Sequence, residues 1–287
     1  MGYLFIAASV FCSLCIAQLL KIGEQKKHNV LNILVINYGV AFLVSFFTSI
    51  EFKDGFSALG DIEVIIFVSV ILLGIMFIGN MVLYSRSIDR VGMGISIAAM
   101  RTSLVFPIAL SIFLYAEFLS NYKYLGIALA FIALYMMLPE VNWKKLRDHK
   151  SLLLPLGIFL ITGLTDSGLK IFEAEFSQIL SEDLFLSGIF LVSFITGILF
   201  SLRKGKMEFT TAEIMLGSMV GIVNLYSSIF LLYALKELPG SLVFPLTNIA
   251  LVVIGTLIGI AVWKDKINKR QLVGLTLSIV SIIILIK

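Results

Sequence analysis

Long apolar runs alternate with short polar breaks along the whole chain. A bilayer core about 30 Å thick takes roughly 20 apolar residues per helix. With charged residues, Pro, Gly and Asn as punctuation, this length predicts ten helical spans: 3–20, 31–50, 63–85, 92–115, 122–139, 151–172, 184–202, 212–235, 240–262 and 270–286. The first run has no basic leader and no small-x-small cleavage pattern, so a retained helix is expected rather than a signal peptide. The longest polar stretch, PEVNWKKLRDHKS at 139–151, falls at mid-chain. It is expected to join a five-span segment at 1–139 to a second at 151–287, with 140–150 as the linker.

The apolar runs also repeat. FLVSFFT at 42–48 returns as FLVSFIT at 190–196. LKIGE (20–24) returns as LKIFE (169–173), and LYS (83–85) as LYA (232–234). AEFLSNYKYLG (116–126) matches KDKINKRQLVG (264–274) in place. Four matches in order, at an offset of 148 or 149, point to an internal duplication. Each copy has five spans, an odd number, so the second copy enters the membrane from the opposite side. The predicted fold is all-α: a polytopic membrane protein of two inverted five-helix repeats. The loops agree. KIGEQKKHN after span 1 holds three Lys, whereas its equivalent KIFEAEFSQILSED holds one Lys and four acids. EFKDGFSALGDIE after span 2 is acidic, and its equivalent RKGKMEFT is basic.

Composition fits a membrane protein and excludes an ordinary soluble domain. Hydrophobic residues are 59%, charged residues 14%, and mean hydropathy is +1.04. Soluble domains carry about 45–50% apolar and about 25% charged residues. The net charge of +4 lies mainly in short loops, where lipid headgroups account for it. No basic patch with interleaved aromatics suggests nucleic acid. Loops after odd-numbered spans hold sixteen Lys and Arg, against five in the other loops and the C-terminus. By the positive-inside rule the odd loops are cytoplasmic and both termini lie outside. Cys12 and Cys15 form a CxxC inside an apolar run with no second pair. Two ligands do not make a zinc site, so small buried or lipid-facing residues are expected.

Polar groups within spans are costly and mark cavities or partners. Arg101 lies near the middle of span 4, too deep to reach headgroups easily. Inserting it costs on the order of 3 kcal/mol. It is expected to line a central cavity, pair with an acid or hold an anionic group such as a substrate carboxylate. The plainer reading is a cap on carbonyls freed around Pro107. Asp166 in span 6 is the counter-ion of Arg101, a proton carrier, or the local partner of Lys170 four residues on. Lys21 and Lys170, near helix ends, are expected to snorkel to headgroups. Asn37, Tyr38, Asn80, Tyr84, Asn224 and Asn248 form a second group of substrate-binding candidates. Their alternative role is interhelical hydrogen bonding, worth about 0.6 kcal/mol each. GMG (92–94), PG (239–240) and GTLIG (255–259) are candidate close-approach or sliding surfaces.

The chemistry of an enzyme is missing from the sequence. The two histidines, His28 and His149, fall in predicted loops. No Ser/His/Asp set, metal-ligand cluster or phosphate loop is present, so no catalytic residue, metal or cofactor is expected.

The fourth span and the loop after it, VGMGISIAAMRTSLVFPIALSIFLYAEFLSNYKYLG, together with ten spans in two repeats, resemble the EamA-type branch of the drug/metabolite transporter superfamily. Pro107, Glu117 and Gly126 fit that family's helix-4 proline, helix-end acid and helix-5 glycine. In the second half Asp265 and Gly274 take the acid and glycine places, while Gly255 stands where the proline would be. The resemblance implies a secondary transporter in a bacterial inner membrane, exporting small metabolites such as amino acids. Its partners would be a small-molecule substrate and membrane lipids. Substrate would sit between spans 1–4 and 6–9, with rocking of the two halves giving alternating access. Spans 5 and 10 would brace the fold or form a homodimer surface. The resemblance also implies cytoplasmic termini, opposite to the charge bias. A nucleotide-sugar carrier would want several cations near the cavity, and Arg101 is the one deep in a span. A membrane scaffold without transport is the alternative of another class, and it predicts no central cavity.

Overall fold

The structure, a computed structural model, describes residues 1–49, 64–138, 149–203 and 208–287. All regular elements among them are helices: α1 (Gly2–Gln25), α2 (Val30–Thr48), α3 (Val64–Val91), α4 (Met93–Thr102), α5 (Val105–Phe113), α6 (Asn121–Met137), α7 (His149–Ile171), α8 (Glu182–Arg203), α9 (Thr211–Glu237), α10 (Gly240–Trp263) and α11 (Lys269–Ile286). A π-helical turn, Phe172–Phe176, continues α7. Nine described spans are long and apolar enough to cross a membrane, α4 and α5 counting together as Met93–Phe113. The shorter apolar helix α6 is the tenth. Large side chains such as Phe11 and Phe113 lie exposed on the helices, as lipid contact requires. The chain is an integral membrane protein by these lengths and compositions. The acidic loop at 51–63 and most of the expected linker at 140–150 lie outside the described residues.

Span 4 is broken where one continuous helix was expected. Pro107 has no N–H to give the Ser103 carbonyl, and its ring crowds that carbonyl. The Phe106 N–H takes the Ser103 oxygen instead, at 3.0 Å, and the chain makes a tight turn at residues 103–104. The Ser103 hydroxyl donates to the Met100 carbonyl at 2.7 Å. The freed groups are thus met locally, and Arg101 is left on the last turn of α4.

The ends of α5 and α10 match in detail. Ala116 and Lys264, 148 residues apart, both adopt positive φ, 50° and 60°. The next residue in each case, Glu117 or Asp265, donates its N–H to a carbonyl six positions back, Ser111 or Gly259, at 3.0 Å. This is a left-handed helix stop whose closing bond is one residue wider than that of the Schellman motif. Ser120 and Asn268, again 148 apart, hold the N-cap positions of the following helices, and of the two only Asn268 caps with its side chain. Asn268 makes a full capping box with Gln271.

The chain folds into two compact units. The first comprises Met1–Val10, Asn80–Lys170 and Ala234–Lys287; the second comprises Phe11–Gly79 and Ile171–Tyr233. In the first unit α6 packs on α11, and α10 on α5, α6 and α11. Gly126, near the start of α6, meets Leu285 near the end of α11, while Gly274 meets Met136 and Met137. The two helices therefore run antiparallel, and their contacts are reciprocal: Gly126 and Gly274, like Met137 and Leu285, are 148 apart. Ser281 donates to the Gly126 carbonyl at 2.8 Å, a bond that close approach permits.

In the second unit α2 packs antiparallel on α8. Ser45 bonds the Asp183 carbonyl, Gly39 meets Phe194 and Gly197 meets Val35. Tyr38 stacks on Phe190, the first residue of the second FLVSF segment, with centroids 6.1 Å apart. A close helix contact here uses Gly217 and Gly221 of α9, a GxxxG pair. A Cβ on either would fall 2.9 Å from the Ile33 oxygen or 2.6 Å from the Asn37 oxygen. GTLIG behaves differently: Gly259 receives the Asp265 carboxylate, at 2.7 Å from an added Cβ, rather than a neighbouring helix.

Candidate functional site

Arg101 is the centre of the polar structure in the first unit. It is half-buried, and its Nη1 donates to Asn248 Oδ1 on α10. Asn248 in turn donates from Nδ2 to the Phe244 carbonyl at 3.2 Å, which fixes the amide flip and points its oxygen at the guanidinium. Asp166 on α7 and Tyr84 on α3 lie within electrostatic reach of Arg101. Asn80 on α3 donates to Thr162 Oγ1 on α7 at 3.0 Å, one turn before Asp166. Arg101 Nε, Asn80 Oδ1 and Thr247 Oγ1 are buried without a hydrogen-bond partner among the described residues. Such groups are few in folded proteins and call for a reason.

A cavity of about 360 Å³ opens beside Arg101. Its wall combines α4 and α6 with α10, the 265–267 loop and the first turn of α11, and carries Thr256, Asp265, Lys266 and Gln271 as further polar groups. The volume is at the low end of small-molecule pockets, roughly 300–1,000 Å³. The walls come from both sequence halves, but they are built by spans 4, 5, 9 and 10, so this cavity is not the space between spans 1–4 and 6–9 that the resemblance implies, and spans 5 and 10 are part of its wall.

The eight candidates named from sequence do not form one cluster. Arg101, Asp166, Asn80, Tyr84 and Asn248 belong to the first unit; Asn37, Tyr38 and Asn224 belong to the second. In the second unit Asn224 Nδ2 donates to Asn37 Oδ1 at 3.2 Å, an interhelical bond between α9 and α2. Tyr38 is 2% exposed and packed on Phe190. Among the eight, Arg101 lines the cavity.

Two polar clusters are not visible from sequence. Lys170 does not snorkel: it is buried, its Nζ is 2.8 Å from Glu117 Oε1, and it lies 5.5 Å from the Tyr115 ring centroid. Glu117 Oε2 also accepts the Ser241 N–H at 3.1 Å, at the start of α10 where the helix dipole favours an anion. The left-handed Ala116 aims Glu117 back over α5. Glu213, at the start of α9, accepts from the Asn29 N–H (2.8 Å), Asn32 Nδ2 (3.1 Å) and the Thr210 N–H (3.1 Å). It fastens the start of α9 to that of α2. Cys12 and Cys15 are half-buried thiols one turn apart on α1.

No family model matches the chain. An uncharacterized protein of Haemophilus influenzae is 26% identical over 283 residues, 96% of this chain and 94% of that one. A solved crystal structure of a protein aligns with a TM-score of 0.76 over 99% of this chain and 95% of its own, at 12% identity. At that identity the likeness is one of fold alone.

Proposed function

We propose that the chain is a secondary transporter of small metabolites, amino acids among them, of the EamA type and resident in a bacterial inner membrane. It works by alternating access around a site that includes Arg101 and carries out no catalysis. The observation that carries this reading is the placement of Arg101. A guanidinium inside an apolar span, bonded to Asn248, near Asp166 and Tyr84, and on the wall of a cavity lined by both sequence halves, suits a ligand site. A scaffold has no use for such a cavity.

The inverted duplication is part of the proposal. Two equivalent left-handed stops 148 residues apart and the reciprocal antiparallel packing of α6 on α11 support it. So does the register of α4 and α10. Arg101 meets Asn248, and the offset of 148 carries residue 101 to 249. A pair of nearly equivalent positions in contact sits next to a two-fold axis. In transporters with inverted repeats the substrate site lies at the repeat interface, beside such an axis.

The test is a proteoliposome uptake panel of amino acids and small organic anions, with and without a pH gradient. Wild type is expected to move at least one solute, and folded Arg101→Ala to lose that flux. A folded wild type that moves nothing in a broad panel contradicts the proposal.

A further inference from the structure

One face of α10 is shut along its first half and open along its second. Ser241, Phe244, Pro245 and Asn248 follow one another at helical spacing, so they share a face. The same spacing continues through Leu251, Val252 and Gly255, which line the cavity. Every residue from Gly240 to Thr247 is buried. Beyond Asn248 the cavity reaches the loop after α10, where Asp265 and Lys266 are exposed. The positions 148 earlier are in the opposite condition. Met93 is 53% exposed where Ser241 is 0% exposed, and Ile97, which precedes Pro245 by 148, lines the cavity.

The shut end is fastened by polar groups from three elements. The Lys170–Glu117 pair joins the end of α7 to the end of α5, and the second Glu117 oxygen holds the Ser241 N–H at the start of α10. Gly240 lets α10 seat there: a Cβ would strike Ser111 Oγ and lie 3.2 Å from Lys170 Cδ. Ser111 Oγ and Ser241 Oγ are buried with no hydrogen-bond partner among the described residues. Apolar side chains of similar volume hold a permanent joint at least as well as a buried ion pair does. Buried hydroxyls without partners regain hydrogen bonds when water enters. A joint built this way suits an end that parts.

We propose that Lys170, Glu117 and the Ser241 N–H form a latch that closes the cavity at the N-terminal end of α10, and that the structure is the state open at the other end. Opening the latch separates the ends of α5 and α7 from the start of α10 and uncovers the α10 face between Ser241 and Asn248. This rests on the reading of the chain as an alternating-access transporter, and it names the contacts that hold one access state.

The experiment compares two cysteine reporters in the full chain, with Cys12 and Cys15 replaced by Ser. Thr247→Cys lies in the shut segment, where Thr247 is 7% exposed, and Thr256→Cys lies on the cavity wall. Each is labelled with an impermeant thiol reagent in sealed vesicles of either orientation, with the latch intact and with Glu117→Gln and Lys170→Met combined. A minor state holds about 0.1–10% of a two-state protein, so unlatching is expected to speed labelling at 247 about tenfold, from the face nearer Ser241. Labelling at 256 from the other face is expected to slow. Unchanged rates at both positions overturn the proposal. So do rates that rise together, which mark a loosened fold. Should the double variant fail to fold, the reverse manipulation decides. Ser111→Cys with Gly240→Cys, oxidised with copper phenanthroline to a disulfide across the joint, is expected to confine labelling at 256 to the face nearer the 265–267 loop until the bond is reduced. Labelling from the opposite face after oxidation, or from neither, overturns the latch. Reciprocal labelling in a chain that moves no solute would sink the transport reading and leave the latch standing. Flux without the reciprocal change would do the reverse.

Discussion

Lys170 and Glu117 pair at 2.8 Å with side chains only 6% and 14% exposed. Removing one partner of a buried pair leaves an uncompensated charge and costs about 3–5 kcal/mol. Lys170→Met alone is therefore expected to lower the unfolding temperature in detergent sharply. Combined with Glu117→Gln, which keeps an oxygen for the Ser241 N–H, it should lose much less than the sum of the two single changes. Additive losses would show that the pair is not coupled. At Ala116 the backbone is held at φ 50°, which costs an L-residue about 1–2 kcal/mol. Ala116→Gly is expected to raise stability by about 1 kcal/mol in the same assay. The gain from Lys264→Gly is smaller, because the Lys264 ammonium also bonds the Ala261 carbonyl at 3.2 Å. Arg101 is legible in the sequence because a cation at mid-span is conspicuous. Asn248 is not legible as its partner, since they are 147 positions apart. Lys170 is deceptive for the same reason. A lysine near a helix end looks solvated until the opposing Glu117 is known, and only the fold brings the two together.

Helix crossings carry the next level. Gly221 of α9 sits so close to α2 that a Cβ would lie 2.6 Å from the Asn37 oxygen, a backbone atom that cannot rotate away. Gly221→Leu is expected to push the helices apart and to break the Asn37–Asn224 bond nearby, at a cost of about 3 kcal/mol. Gly79→Leu, where an added Cβ meets nothing within 4 Å, is the control and should be nearly neutral. Thermal unfolding of the two variants side by side checks this; equal effects would refute the contact. Helix placement is the most legible feature of the sequence, because span length and polar punctuation are set by the bilayer. The break after Arg101 is not legible as a break: Pro107 is tolerated in membrane helices, and whether it kinks or interrupts depends on local hydrogen bonds such as Phe106 to Ser103. Sequence spacing favours GTLIG at 255–259 as a crossing, yet the pair at 217–221 makes the close one. A spacing says that small residues share a face, but not which helix lies against it.

For the whole molecule, the proposed inversion has a consequence independent of any substrate. Under that proposal the turn after α1 and the segment after the π-helical turn are repeat equivalents on opposite sides of the membrane. In a Cys12→Ser, Cys15→Ser background, Lys26→Cys and Gln178→Cys, both exposed, are expected to react with an impermeant thiol reagent from opposite faces. Labelling of both from one face would contradict five spans per repeat. The charge bias further predicts that Lys26→Cys reacts from the cytoplasmic face.

Alternating access is most directly tested at Thr256, on the cavity wall. In the same cysteine-free background, Thr256→Cys would be probed with the impermeant reagent in sealed vesicles of each orientation. Labelling from both faces, shifted by a transported solute, is the predicted result. Labelling from one face alone, whatever solute is added, would contradict a site that opens to each side in turn.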